Sequence, residues 1–237
     1  MIAWPHKETD WAYMLDEVEE CYRNVARAIM QYESLIFDID GTLWDSTALV
    51  AEGYNVQLRK EGLDHLCVTR DDLLKLFGRT MAAIADAMFE TIPAPERYAL
   101  MDRCIDSEQE YLWANECDVY YPGVKETLEI LAKKYRLFIV TNAQKGYPEV
   151  CMEKLGVSHL FSGHLTYGDT LLEKSETIKL LMQRHGIENA VYIGDTQGDY
   201  QAATAAKLPF IWVSYGFGVP ESYVAKADSF PQLLEIL

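Results

Sequence analysis

Apolar and polar positions along this chain change period several times, and each change marks an element. From residue 9 to residue 30, Trp11, Met14, Leu15, Val18, Tyr22, Val25 and Ile29 recur at three- and four-residue spacings. That stripe predicts an amphipathic helix, opposed by an acidic face of Asp16, Glu17, Glu19 and Glu20. Docking on the rest of the chain is its expected use, with a partner or dimer contact as the alternative. Leu35-Ile36-Phe37 is a short unbroken apolar run, the pattern of a buried β-strand. Residues 47–117 then read mostly as helix, with breaks near Gly62, Gly78 and Pro93-Ala94-Pro95. Short apolar strands resume at Leu137–Val140, Val191–Ile193 and Phe210–Val213, each following a helical pattern, at about 123–134, 175–185 and 199–206.

Short strands alternating with helices imply right-handed crossovers and a parallel sheet covered on both faces. The expected fold class is α/β, a Rossmann-like parallel sheet core with an inserted all-α domain. The expected organisation is an N-terminal helical extension over residues 1–32, a core from residues 33–46 and 118–237, and a smaller helical domain over residues 47–117.

A chain of 237 residues that is 49% hydrophobic can bury a full core. Its apolar runs fall short of the roughly 20 residues of a membrane span, and the start lacks the basic and apolar regions of a signal peptide. A soluble, cytoplasmic protein without membrane partners is therefore expected. The net charge of −16 disfavours nucleic acid as a general partner. It leaves a small phosphorylated substrate open, because lysines, backbone amides and a metal ion can reverse the potential inside one cleft. Cys21, Cys67, Cys104, Cys117 and Cys151 are odd in number and widely spaced, so each reads as a small buried hydrophobe and not as part of a disulfide or zinc framework. His6, His65, His159, His164 and His185 lack metal-binding spacing and read as surface or packing residues.

Candidate chemistry gathers where strands end. In Asp38-Ile39-Asp40-Gly41-Thr42 the two carboxylates face one side if the extended geometry persists. Their proximity is tolerable if a divalent cation sits between them and one carboxyl holds a proton. Gly41 permits a sharp turn or a close approach, and the amides beyond it can face an anion. Thr141-Asn142 follows another strand; Thr141 can donate to a phosphate oxygen and Asn142 can orient substrate or loop, although both types also cap helices. In Gly194-Asp195-Thr196-Gln197-Gly198-Asp199 the aspartates read either as Mg²⁺ ligands or as an acidic first helical turn. Lys174 can neutralise a transferring phosphoryl group. Arg79, at a glycine break between helical segments, can hold a carboxylate or second phosphate bidentately.

The order of these segments resembles the haloacid dehalogenase superfamily, in particular its phosphoglycolate-phosphatase-like phosphatases, over about residues 33–220. Ser175 stands after Lys174 where the family usually has proline, and Trp44 stands where it often has a small aliphatic residue. The resemblance implies that residues 47–117 are a mobile cap. It implies that Asp38 attacks phosphorus to form an aspartyl-phosphate while Asp40 serves as acid and base. It also implies Mg²⁺ held by Asp38, the Asp40 carbonyl, Asp195 and Asp199, with Thr141, Asn142 and Lys174 on the phosphate. Specificity would then lie in the cap, with Arg79 as first candidate. A sugar-phosphate mutase, a 2-haloacid dehalogenase and a catalytically silent binding protein are the rival readings.

Overall fold

The computed structural model describes residues 32–237; the helix expected over residues 9–30 lies outside them, as does Cys21. The helices are α1 (Thr47–Lys60), α2 (Arg70–Leu74), α3 (Met81–Met88), α4 (Ala94–Ala114), α5 (Val124–Leu131), α6 (Tyr147–Leu155), α7 (Tyr167–Thr170), α8 (Lys174–His185), α9 (Gln197–Ala205) and α10 (Leu233–Ile236). The strands are β1 (Ser34–Phe37), β2 (Arg136–Thr141), β3 (Phe161–Thr166), β4 (Ala190–Gly194), β5 (Phe210–Val213) and β6 (Ala225–Ala227). They form one parallel sheet in the order β3-β2-β1-β4-β5-β6.

Period-two alternation splits the central strands between two apolar layers. Leu35, Phe37, Leu137, Ile139, Val191 and Ile193 pack on one side with Val124 and Leu128 of α5 and Val150 of α6. Ile36, Phe138, Val140 and Tyr192 pack on the other with Ile178 and Leu181 of α8 and Ala202 and Ala203 of α9. Phe37 is level with both Ile139 and Ile193, so β1, β2 and β4 end at one edge. Because β1 has β2 on one side and β4 on the other, that edge is the crevice where open α/β sheets bind ligands.

Between β1 and α5 lies a block of helices with an apolar cluster of its own, including Val50, Tyr54 and Leu58 of α1, Ile84 of α3, and Leu100, Met101 and Cys104 of α4. Helices α1 and α4 approach closely at Gly53, where a Cβ would come within 2.6 Å of the Glu108 Cα. Among the described residues no helix is long and apolar enough to cross a membrane.

Three local features differ from the sequence pattern. β3 carries Gly163 and His164, and β6 has only 3 residues, too little apolar signal to mark either. α9 starts at Gln197, two positions before the expected start, because Thr196 caps it. Cys67 is exposed, contrary to the reading of every cysteine as buried, whereas Cys104, Cys117 and Cys151 are buried. Cys67 follows the short 3-10 turn Asp64–Leu66, which buries none of its residues.

Candidate active site

The Asp38 amide donates to the Ile193 carbonyl at 2.9 Å, carrying the β1–β4 pairing one residue past β1. The chain then turns tightly, with the Ile39 carbonyl accepting from the amides of Thr42, Leu43 and Trp44. Gly41 takes φ +76°, and a Cβ there would lie 2.1 Å from Asp195 Oδ2. Glycine is thus required twice, for the left-handed turn and for the approach to Asp195.

Carboxylate oxygens of Asp38, Asp195 and Asp199 lie within 4.8 Å of one another, and all three side chains are buried. Lys174, the first residue of α8, places Nζ 2.6 Å from Asp199 Oδ1 and 3.2 Å from Asp38 Oδ1. Burial works against the charge on Asp199, yet Lys174 and the Thr196 donors hold its carboxyl below the usual range. Burial would likewise lower the Lys174 ammonium, but Asp199 and Asp38 outweigh it and raise it. Asp38 is pushed up to about 7 by burial, against Lys174 and with the help of Asp199. Asp195 is raised by burial and by Asp199 and Asp38.

Asp199 Oδ2 accepts from the Thr196 amide at 3.0 Å and its hydroxyl at 2.6 Å, completing a capping box on α9. Asp199 therefore caps α9 and also stands in the carboxylate cluster. Asp195 Oδ2 accepts from the Phe217 amide at 2.6 Å, whereas its Oδ1 is buried without a hydrogen-bond partner among the described residues. An all-oxygen set in which, among the described residues, Asp38 Oδ1 and Asp195 Oδ1 lack hydrogen-bond donors and Lys174 is the neighbouring ammonium fits a hard divalent cation such as Mg²⁺.

Asp40 points its Oδ1 at three donors, the Tyr147 hydroxyl at 2.6 Å, the Trp44 indole N–H at 3.0 Å and the Ser46 hydroxyl at 3.1 Å. Burial raises Asp40 to about 6, and those hydrogen bonds oppose the rise. Tyr147 and Ser46 did not stand out in the sequence. Trp44 did, as an unusual residue, but its indole N–H proves to be a hydrogen-bond donor to Asp40. Thr141 is 4% exposed and faces the same crevice. The Asn142 side-chain amide donates to the Gly78 carbonyl at 2.7 Å, tying the sheet edge to the helical block beside Arg79.

A narrow cavity of about 20 Å³ lies between block and sheet, lined by Asp38, Asp40, Thr141 and Asn142 below and by Tyr54, Phe77, Arg79, Ile84 and Glu108 above. Arg79 is exposed at its rim, just ahead of Thr80, the N-cap of α3. Glu108 is only 2% exposed. Burial pushes its carboxyl up to about 8, against a 3.0 Å hydrogen bond from the Gln144 side chain. It escaped notice in the sequence because α4 is rich in acids. The available signal was its place in the row Cys104, Glu108 and Leu112, whose outer members are fully buried.

The sequence and the fold both have known relatives. The family model of haloacid dehalogenase-like hydrolases matches residues 35–213. The chain is 31% identical over 192 residues to the phosphoglycolate phosphatase of Agrobacterium fabrum (strain C58), covering 77% of this chain and 80% of that one. It is 29% identical over 223 residues to that of Haemophilus influenzae (strain KW20), covering 87% and 99%. Among solved structures, one described as a predicted phosphoglycolate phosphatase from Haemophilus somnus 129pt superposes with TM-score 0.73 at 25% identity, covering 88% of this chain and 99% of that one. A haloacid dehalogenase-like family hydrolase from Streptococcus pneumoniae shares the fold at TM-score 0.67 and 20% identity, covering 86% and 97%. The chain is an enzyme of the haloacid dehalogenase-like hydrolase family.

Proposed function

We propose that this enzyme is a Mg²⁺-dependent phosphatase that hydrolyses a small phosphorylated metabolite through an aspartyl-phosphate on Asp38. The observation that carries the reading is the convergence of Asp38, Lys174, Asp195 and Asp199 at the edge of the sheet, with Asp40 one turn away. Phosphatase names among its relatives agree with it.

In the first half-reaction an Asp38 carboxylate oxygen attacks phosphorus and the bond from phosphorus to the ester oxygen breaks. Asp40, held by Tyr147, Trp44 and Ser46, gives its proton to that leaving oxygen. In the second half-reaction Asp40 takes a proton from water, whose oxygen attacks phosphorus, releasing inorganic phosphate and restoring the Asp38 carboxylate. A raised Asp40 suits both roles, since it lies close to neutral pH. Lys174 and Thr141 face the phosphoryl oxygens, with Asn142 in support. Mg²⁺ would be held by Asp38, the Asp40 carbonyl and Asp195, with Asp199 acting directly or through water, and would neutralise phosphoryl charge. Both Asp199 oxygens already have donors, which favours the route through water.

Residues 47–117 serve as the cap, excluding water above the site. Arg79 at the rim binds an anionic group of the substrate beyond the reacting phosphate.

Phosphate release from a panel of small esters with Mg²⁺ tests this reading, with phosphoglycolate, sugar phosphates, nucleoside monophosphates and p-nitrophenyl phosphate in the panel. Hydrolysis of at least one metabolite is expected. Arg79→Ala should lower kcat/KM for a carboxylated or doubly phosphorylated substrate about tenfold more than for p-nitrophenyl phosphate. Isomerisation without net phosphate release, or halide release from a 2-haloacid in place of phosphate release, would overturn the assignment.

A further inference from the structure

Glu108 is a buried carboxyl that the chemistry at Asp38 and Asp40 does not use. It lines the cavity from the helical block, on the opposite wall from the reacting groups. Oε1 accepts from Gln144, whereas Oε2 is buried and makes no close hydrogen bond among the described residues, the Tyr54 hydroxyl lying beside the carboxyl and opposing its rise. Its position is closely fixed. The neighbouring Ser107 hydroxyl donates to the Gly53 carbonyl at 2.9 Å, and Gly53 leaves no room for a Cβ against the Glu108 backbone. An unpaired buried carboxyl oxygen is destabilising in the free protein, which is what a group kept for a ligand looks like. Tyr54 lines the block side of this cavity, whereas the Tyr147 hydroxyl faces Asp40 on the opposite side.

The geometry points to Glu108 as the residue that reads the leaving group, its Oε2 sharing a hydrogen bond with a hydroxyl carried beyond the ester oxygen. The substrate class is then phosphate monoesters of hydroxylated alcohols. Ionised, Oε2 accepts from that hydroxyl; protonated, the proton sits on Oε2, because Oε1 accepts from Gln144, and Oε2 donates to the hydroxyl oxygen. An ester with only hydrocarbon at that place would leave Oε2 unpaired on closure and so would be rejected. The inference rests on the phosphatase reading, and deepens it by naming what the leaving group carries.

Glycerol phosphate and n-propyl phosphate share a carbon chain and differ in hydroxyls, so they isolate this contact. With Mg²⁺, the native enzyme should favour glycerol phosphate by at least about tenfold in kcat/KM. Calorimetric Kd values for the two esters on Asp38→Asn, which needs no turnover, should differ in the same direction. Glu108→Leu should bring the kcat/KM ratio toward one while its Tm stays at or above that of the native protein. Equal use and equal binding of the two esters by proteins that retain Glu108 would overturn the proposal whether or not Glu108→Leu folds. An unchanged ratio in a folded Glu108→Leu would overturn it too, leaving Oε2 a partner of water only. If no ester, p-nitrophenyl phosphate included, released phosphate while the binding preference held, the phosphatase reading would fail and the Glu108 assignment would stand.

Discussion

Asp40 receives its hydrogen bonds from three side chains that the sequence scatters, with Tyr147 more than a hundred positions away. Trp44→Phe keeps the ring and removes one donor to the charged form. Asp40 should then rise further, since a hydrogen bond to a charged group contributes about 1.5–3 kcal/mol, or about one pH unit or more. With an alkyl ester, whose departure needs the Asp40 proton, the alkaline limb of the kcat profile should move up by that amount. A limb that stays in place would remove Trp44 from the account. Glu108 supplies a second measurement on a single group. Its folded value of about 8 exceeds the ordinary value of a glutamate, so the folded state binds the proton more tightly. The associated stability is fully present below the unfolded value of about 4.3 and is lost as pH rises through about 8. Glu108→Gln, which does not titrate, should therefore gain on the metal-free native protein across that window, by up to about 1.4 kcal/mol per pH unit. Urea unfolding at several pH values reads the gap, and a constant gap would contradict the assignment.

At the scale of elements, β1, β2, β4 and β5 were legible because each is an unbroken run of large apolar residues buried on both faces. β3 and β6 were not, because edge strands need less apolar surface and take their place from backbone pairing with a neighbour. α6 was not marked either: it starts after Gly146 and holds Pro148 in its first turn, where proline is permissive. The carboxylate motifs were legible since their spacing is local. Glu108, Tyr147 and Ser46 were not, since what distinguishes them is burial and contact across distant parts of the chain. The turn between β1 and α1 makes its own prediction. Gly41→Ala must displace either the left-handed turn or the Asp195 carboxylate, and misplacement of a catalytic group by about 1 Å can lower turnover about a hundredfold. Native far-UV circular dichroism with such a loss in kcat is expected; native kcat would show that the approach to Asp195 is not needed.

For the whole molecule, the cavity under the helical block holds scarcely more than a water, so the proposed phosphate-ester substrate would need block and sheet to part. The Asn142 bond to Gly78 and the Gln109 bond to the Lys145 carbonyl at 2.7 Å are the seams that such opening would break. In the proposed mechanism, closing them over a substrate would bring Arg79 and Glu108 to the ligand on which Asp38 would act. On the proposed mechanism a cation would be needed as well, because an anionic ester would otherwise be repelled from a crevice lined by aspartates.

The most direct test is therefore phosphate release from p-nitrophenyl phosphate by chelator-stripped protein, before and after adding Mg²⁺, in the native chain and in Asp38→Asn. The account predicts negligible release without metal, recovery on adding Mg²⁺, and a loss of at least about a thousandfold in Asp38→Asn, with that variant still folded. Full activity in the stripped protein, or near-native turnover by Asp38→Asn, would contradict it.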